Sequence, residues 1–258
     1  MLTKFLNFKC PNLSPSTYTL YEYCLNLFIG RYEISADGIN SFLANLSCGN
    51  AKGNYHQIIT TFVRWLIKRG YIAENPLEKV DKPKRAKRLL PSVDREQVEL
   101  LMNHITNLRD KAIVSLLFDS GMRLHELSKV MQDDINWDDY TITIIGKGNK
   151  QRKAPFTEAS ASLVREWLFM YCPNDGNIWG LNRWGIQVML RRLSQRTGVK
   201  CNPHSFRRGF ACNLHKKGLS TLDIMHLGGW EDLSMVQRYT RSITFDDCLE
   251  HYRKVNNC

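Results

Sequence analysis

The sequence predicts a mainly α chain of two domains, the first all-helical and the second α+β, with helices around a small antiparallel sheet. Three observations predict it. Residues 1–80 carry their apolar side chains at helical spacing throughout. The helix stop Glu74-Asn75-Pro76 is followed by a basic stretch, Lys82-Pro-Lys-Arg-Ala-Lys-Arg88. The one strongly alternating β-branched run, Thr141 to Ile145, is answered across a glycine-containing turn by a second run. At 258 residues the chain has room for two ordinary domains. The boundaries expected are 1–81 for the helical domain, 82–89 for a basic linker and 90–258 for the rest.

Each element has a local reason. Ser14-Pro15-Ser16 is a helix start, and Tyr18, Tyr21, Leu25 and Phe28 then share one face. Ile39, Phe42, Leu43 and Leu46 form a second stripe. Tyr55, Ile58, Ile59, Phe62, Trp65 and Leu66 form a third, on a helix over about 51–69 that ends at Lys68-Arg69-Gly70. The second domain opens at Leu90-Pro91-Ser92, with Ser92 expected as N-cap and Asp94 and Glu96 in the first turn. Helices are expected over about 93–106 and 109–119, then in LHELSKVM after Arg123. The hairpin has its tip at 146–150 and its returning strand at 151–156. Helices follow over about 157–171 and 184–197 and on to a tail helix at about 244–255.

The formal net charge of +11 points to a polyanionic partner. No apolar run approaches the ~20 residues that span a bilayer, and AIVSLLF (112–118) is among the longest. The N-terminus lacks the features of a secretory leader, so the expectation is a cytoplasmic protein with no membrane association. The eight cysteines include no C-x-x-C pair, which argues against a zinc site. Most are expected as small buried hydrophobes. Asp133, Asp134, Asp138 and Asp139 read as a solvated turn; no metal and no cofactor is expected.

The chemistry concentrates between His204 and Tyr239. His204 and Arg207 fall on one helical face, one turn apart. Arg123 follows Gly121 at a helix start, with Glu126 placed to orient it. A phosphodiester under attack gathers charge on its non-bridging oxygens, which guanidinium forks match. Histidine and lysine can move protons, and a tyrosine can attack once neighbouring cations favour its phenolate. Lys147 and Lys150 share the hairpin tip, and spacing does not choose between them. Lys82, Lys84, Arg85, Lys87 and Arg88 suit tracking of a phosphate backbone, as do Lys150 and Arg152. Arg208 points about 100° away from Arg207, suiting a structural or DNA-backbone role.

GMRLHEL (121–127), IIGKGNKQRKAPF (144–156), PHSFRRGFA (203–211) and LGGWEDLSMVQRY (227–239) resemble, in order, the boxes of the tyrosine recombinases, the family of phage integrases and Xer- and Cre-like enzymes. The likeness covers about residues 90–245. It implies a SAM-like core-binding domain followed by a catalytic domain of the DNA breaking-rejoining type. It also implies Arg123, Lys147, His204, Arg207, Trp230 and Tyr239 as the catalytic set, with Glu126 behind Arg123. Trp230 stands where the family most often has histidine. An indole can donate a hydrogen bond but cannot move a proton, so acid–base work falls to Lys147 and His204. Tyr252, thirteen residues beyond Tyr239, lies outside the motif and is expected in tail packing.

The resemblance further implies strand exchange through a 3′-phosphotyrosyl link, without metal or ATP, by a tetramer on two DNA sites built of inverted repeats. The tail, with Phe245, Cys248, Leu249 and Tyr252 at helical spacing, would dock on a neighbouring protomer or pack in cis. The host would be a prokaryotic cell or its virus or mobile element. Integration of a mobile element and resolution of chromosome dimers stay equally open. The rival functions are a type IB topoisomerase, a DNA-binding module with a silent site, and a basic RNA-binding protein, the last lacking aromatic single-strand platforms.

Overall fold

The computed structural model describes residues 1–47, 49, 51–83, 90–146, 151–171, 176–240 and 244–255. Its contacts separate the chain into two compact units, Met1–Arg88 and Leu89–Cys258. The mainly α expectation with a small antiparallel sheet holds.

The first unit contains α1 (Leu2–Lys9), α2 (Pro15–Phe28), α3 (Ala36–Asn45) and α4 (Lys52–Lys68). Ser14 caps α2 by accepting from the Thr17 N–H, and Pro15 occupies the first turn, where its missing N–H costs nothing. Leu25, Phe28, Ile39, Phe42 and the α4 stripe close one core, with Tyr18, Tyr21 and Leu46 half-buried at its edge. Phe5 of α1 fills that core too, edge-on to Phe62 and Trp65.

The second unit runs α5 (Arg95–Asn103), α6 (Leu108–Ser120), α7 (Leu124–Leu127), β1 (Ile135–Asn136), β2 (Thr141–Ile145), β3 (Gln151–Pro155), α8 (Glu158–Tyr171), α9 (Arg183–Thr197), α10 (Pro203–Lys216), α11 (Thr221–Gly228), α12 (Leu233–Tyr239) and α13 (Phe245–Val255). Strands pair antiparallel in the order β1-β2-β3, with Ile144 opposite Arg152 and Ile142 opposite Ala154. The four aspartates fall in the turns flanking the short β1: Asp134 accepts from the Met131 N–H, and Asn136 ties Asp138 and Asp139. Among the described residues no group of acids, histidines and cysteines is placed to hold a metal ion. Cys24, Cys201 and Cys212 are buried and Cys248 is exposed; Cys258 lies outside the described residues.

Two expected boundaries move, for visible reasons. The N-cap of α5 is Asp94, not Ser92: Asp94 and Gln97 exchange a full capping box. The segment before it is held against α10, where the Val93 N–H donates to Ser205 O and Arg208 Nε to Pro91 O. The helix expected through LHELSKVM stops after one turn. Its later carbonyls have other donors, Trp179 Nε1 on Leu127 O at 2.7 Å and the Ile178 N–H on Val130 O at 2.9 Å.

α10 passes so close to this entry segment that a Cβ at Gly209 would overlap the carbonyl oxygen of Val93. Alanine favours a helix over glycine by only about 1 kcal/mol, whereas forcing a backbone apart in a packed core costs about 1–3 kcal/mol or more. Gly209→Ala should therefore lower the urea midpoint of unfolding, despite its better helix propensity. An unchanged or raised midpoint would mean that the segment carrying Val93 shifts freely.

Candidate active site

Gly121, at φ +57°, reverses the chain after α6, a conformation that costs glycine little. That turn sets Arg123 at the N-terminus of α7. Glu126, three residues on, is buried; its carboxylate accepts from the Arg123 N–H at 2.7 Å, Arg123 Nη1 at 2.8 Å and Arg152 Nη2 at 2.9 Å. Burial alone would raise its pKa. Arg152 and then Arg123 outweigh that and hold the carboxyl below its ordinary range, so it stays ionised.

Arg207 comes from α10, whose start is capped by Asn202 with Pro203 in the first turn. It is buried, which leaves its charge in need of compensation. Nη1 donates to Gly121 O, Nη2 donates to Gly228 O at 2.8 Å, and the guanidinium lies 4.2 Å from the Trp230 ring centroid. Burial, then the charges of Arg123 and Arg152, push Arg207 down to about 9, still protonated at neutral pH.

The Gly228-Gly229 turn joins these parts. Arg207 reaches the carbonyl of Gly228, and Arg123 Nη2 reaches that of Gly229 at 3.4 Å. A Cβ at Gly228 would run into the Trp230 indole and one at Gly229 into the Arg152 side chain, so both positions exclude side chains. Trp230 is buried, with its ring edge-on to that of Tyr239 at 5.7 Å between centroids. Tyr239 ends α12, half-buried against the small core of Phe210, Ala211, Ile224, Trp230 and Val236, and its carbonyl accepts from Cys212 Sγ at 3.2 Å. A phenolate at Tyr239 would favour the protonated forms of Arg207 and Arg208. His204, one turn before Arg207, is exposed to solvent; partial burial of its ring, then the charges of Arg208, Arg207 and Arg123, lower its pKa and favour the neutral imidazole.

The structure therefore brings together Arg123, Glu126, Arg207, Trp230 and Tyr239, with His204 on the same helix as Arg207. Two guanidiniums, Arg123 and Arg152, bond one carboxylate, and Arg207 lies near enough to feel its charge; cations in this excess suit an anion. Arg208 is buried with Nε on Pro91 O at 2.6 Å, which is the structural option of the two expected for it. Arg152, expected among the DNA contacts, instead turns inward onto Glu126, with Nη1 on Leu227 O at 3.4 Å. Alternation was the available signal: Arg152 shares a strand face with buried Ala154, and an inward arginine needs a carboxylate. Lys82 is exposed in the first unit, and its charge acts with burial to lower the pKa of His56, burial being the larger cause. Lys84, Arg85, Lys87, Arg88, Lys147 and Lys150 lie outside the described residues. The tail helix α13 is capped through Thr244 and Asp247 and tied to α10 by Lys216 on Asp247 at 3.0 Å, while Phe245, Cys248 and Tyr252 are exposed.

The chain is also similar to known proteins. Residues 91–244 match the model of the phage integrase family. The tyrosine recombinase XerC of Haemophilus influenzae (strain PittEE) is 30% identical over 206 residues, covering 74% of this chain and 70% of that protein. XerC of Xylella fastidiosa (strain M23) is 30% identical over 196 residues, covering 69% and 65%. Among solved structures, the Tn1549 transposon integrase in complex with transposon right end DNA superposes with a TM-score of 0.79 at 14% identity, covering 99% of this chain and 98% of that one. A lambda integrase dimer bound to a COC′ core site gives 0.77 at 13% identity, covering 91% and 95%. These two structural likenesses speak to fold.

Proposed function

This chain belongs to the phage integrase family, and on that premise we propose that it is a site-specific recombinase that cleaves and rejoins DNA through a 3′-phosphotyrosyl intermediate. The observation that carries the reading is the tethering of Arg123 and Arg207, from separate helices, to adjacent carbonyls of one turn beside Tyr239. Two cations preorganised in this way stabilise charge that develops on non-bridging phosphate oxygens.

In this reaction Tyr239 Oη attacks phosphorus; the new P–O bond forms as the bond to the 5′ oxygen breaks. His204 takes the phenolic proton, and Lys147 supplies one to the leaving 5′ oxygen. A 5′ hydroxyl from the partner strand then attacks the link and releases the tyrosine. Bond energy is kept, so no ATP is consumed, and the arginines supply the charge stabilisation, so the reaction calls on no metal ion. Trp230 packs on Arg207 and moves no proton. The working assembly is a tetramer on two sites of inverted repeats, with the exposed stripe of α13 docking on a neighbour. The helical first domain, the linker basics Lys82, Lys84, Arg85, Lys87 and Arg88, and Lys150 on the hairpin hold the duplex.

The test is cleavage of nicked duplexes carrying sites from the flanks of the gene, in EDTA, on a denaturing gel. A covalent complex whose tryptic adduct maps to the peptide carrying Tyr239 supports the reading; binding with no adduct would leave only a DNA-binding module. Joining of strands from two duplexes separates a recombinase from an enzyme that only relaxes supercoils. The pH profile tests the base. With the His204 pKa lowered, its neutral form persists below the ordinary histidine range. The acidic limb of cleavage at sub-saturating DNA should therefore fall below pH ~6.5, and His204→Gln should remove it. A limb that survives in His204→Gln assigns the base elsewhere.

A further inference from the structure

We propose that Arg152 is a positioning residue, a strut from the β2–β3 hairpin that fixes Glu126 and, through it, the first active-site arginine. The inference rests on the recombinase reading and adds to it a residue that acts without touching DNA.

Four observations support it. Arg152 lies on the inward face of β3, opposite Ile144, and its side chain is only 17% exposed. Its guanidinium spans two elements, Nη2 on Glu126 Oε2 at 2.9 Å and Nη1 on Leu227 O at 3.4 Å, just before the Gly228-Gly229 turn. Glu126 has one oxygen for each arginine side chain: Oε1 takes Arg123 Nη1 and Oε2 takes Arg152 Nη2, with the Arg123 N–H also on Oε2. Gly229 lies so close to Arg152 that a Cβ there would overlap its side chain, so the turn is shaped around this arginine.

The physical consequence concerns the balance around one buried carboxylate. With Arg152 present, Glu126 shares its charge between two guanidiniums, and Arg123 keeps an edge free for phosphate. Without Arg152, the buried anion keeps, among the described residues, one hydrogen-bonded cation, Arg123, and draws that guanidinium inward. The hairpin strand that carries Arg152 and the arginine that meets the phosphate are thus set by one side chain. Seating of the hairpin becomes a condition for the first arginine's orientation.

The experiment compares Arg152→Gln, Arg152→Lys, Glu126→Gln and the double variant Arg152→Gln/Glu126→Gln with the parent chain. Single-turnover cleavage at saturating DNA, DNA affinity against salt, and thermal melting are read for each. Loss of a partner that orients a metal ligand costs about 10- to 100-fold in activity; on that scale Arg152→Gln should cleave about 10- to 100-fold more slowly with affinity and salt slope near parental. Arg152→Lys, which keeps the charge and one contact, should recover part of the rate. In the Glu126→Gln background, Arg152→Gln should cost little more, because its effect travels through that carboxylate. Should Arg152→Gln fail to fold, Arg152→Lys against Glu126→Gln carries the same cycle.

A cleavage rate within about twofold of the parent, or fully additive losses in the double variant, overturns the proposal. So does weaker binding with the salt slope reduced by about 1 and cleavage at saturation intact, the signature of a phosphate contact. Failure of the recombinase reading looks different: the parent chain itself gives no covalent band, and both proposals fall together.

Discussion

Tyr239→Phe should bind duplex DNA as the parent chain does and form no covalent complex with it. The substitution removes one oxygen and leaves the ring. What holds that ring is apolar: the edge-on contact with Trp230 and the small core around Phe210, Ile224 and Val236. The Cys212 thiol bonds the backbone carbonyl of residue 239, which phenylalanine also has. Stability should therefore change by no more than about 1 kcal/mol. The chemistry should vanish, because phenylalanine has no atom to attack phosphorus, and the other tyrosine of this region, Tyr252, is exposed on α13. The denaturing gel, read beside a mobility shift on the same DNA, decides it. A covalent band that persists in Tyr239→Phe assigns the nucleophile to another residue. A band lost together with DNA binding and thermal stability would show that the hydroxyl holds the fold.

Much of this site was legible because its parts sit in short local patterns. His204 and Arg207 needed only a helix with Asn202 and Pro203 at its start, and local capping supplies that helix whatever surrounds it. Arg123 and Glu126 needed only one helical turn. The β2–β3 pairing followed from alternation and a Gly-containing tip. The unreadable parts depend on contacts between distant segments. Ser92 has a capping side chain as good as that of Asp94, but Pro91 and Val93 are drawn onto α10 by Arg208 and Ser205, which fixes where the helix begins. The one-turn length of α7 is set by Trp179 and Ile178, about fifty residues on. Arg152 is the instructive case. Its charge suggested a surface role, whereas its register placed it on the inner face, and register decided. The two-residue β1 has too short a pattern to stand out, since only its pairing with β2 defines it.

Arg207→Lys should lose more than any other substitution that keeps a cation in the site. The guanidinium is buried and does three tasks at once: it binds Gly121 O, binds Gly228 O at 2.8 Å and stacks 4.2 Å from the Trp230 centroid. An ammonium cannot span two carbonyls from opposite sides of the site while presenting a planar face to an indole. One of those carbonyls then stays buried without its partner, at about 1–3 kcal/mol, so the thermal midpoint should fall clearly. The catalytic loss has two sources. The fork that meets the phosphate oxygens is gone, worth about 10²–10³ in rate for one preorganised donor. The Gly228-Gly229 turn also loses one of its two tethers, which loosens Arg123 at Gly229 O and Trp230 beside Tyr239. Together these predict single-turnover cleavage reduced about 10³-fold or more, with DNA affinity reduced far less because most of the duplex is held elsewhere. Arg123→Lys makes the contrast: Arg123 is 40% exposed on its side chain and makes one long bond to the turn, so its rate should fall with a smaller change in melting. If Arg207→Lys cleaves within about tenfold of the parent, charge alone suffices at this position, and the two-carbonyl tether is not what prepares the site.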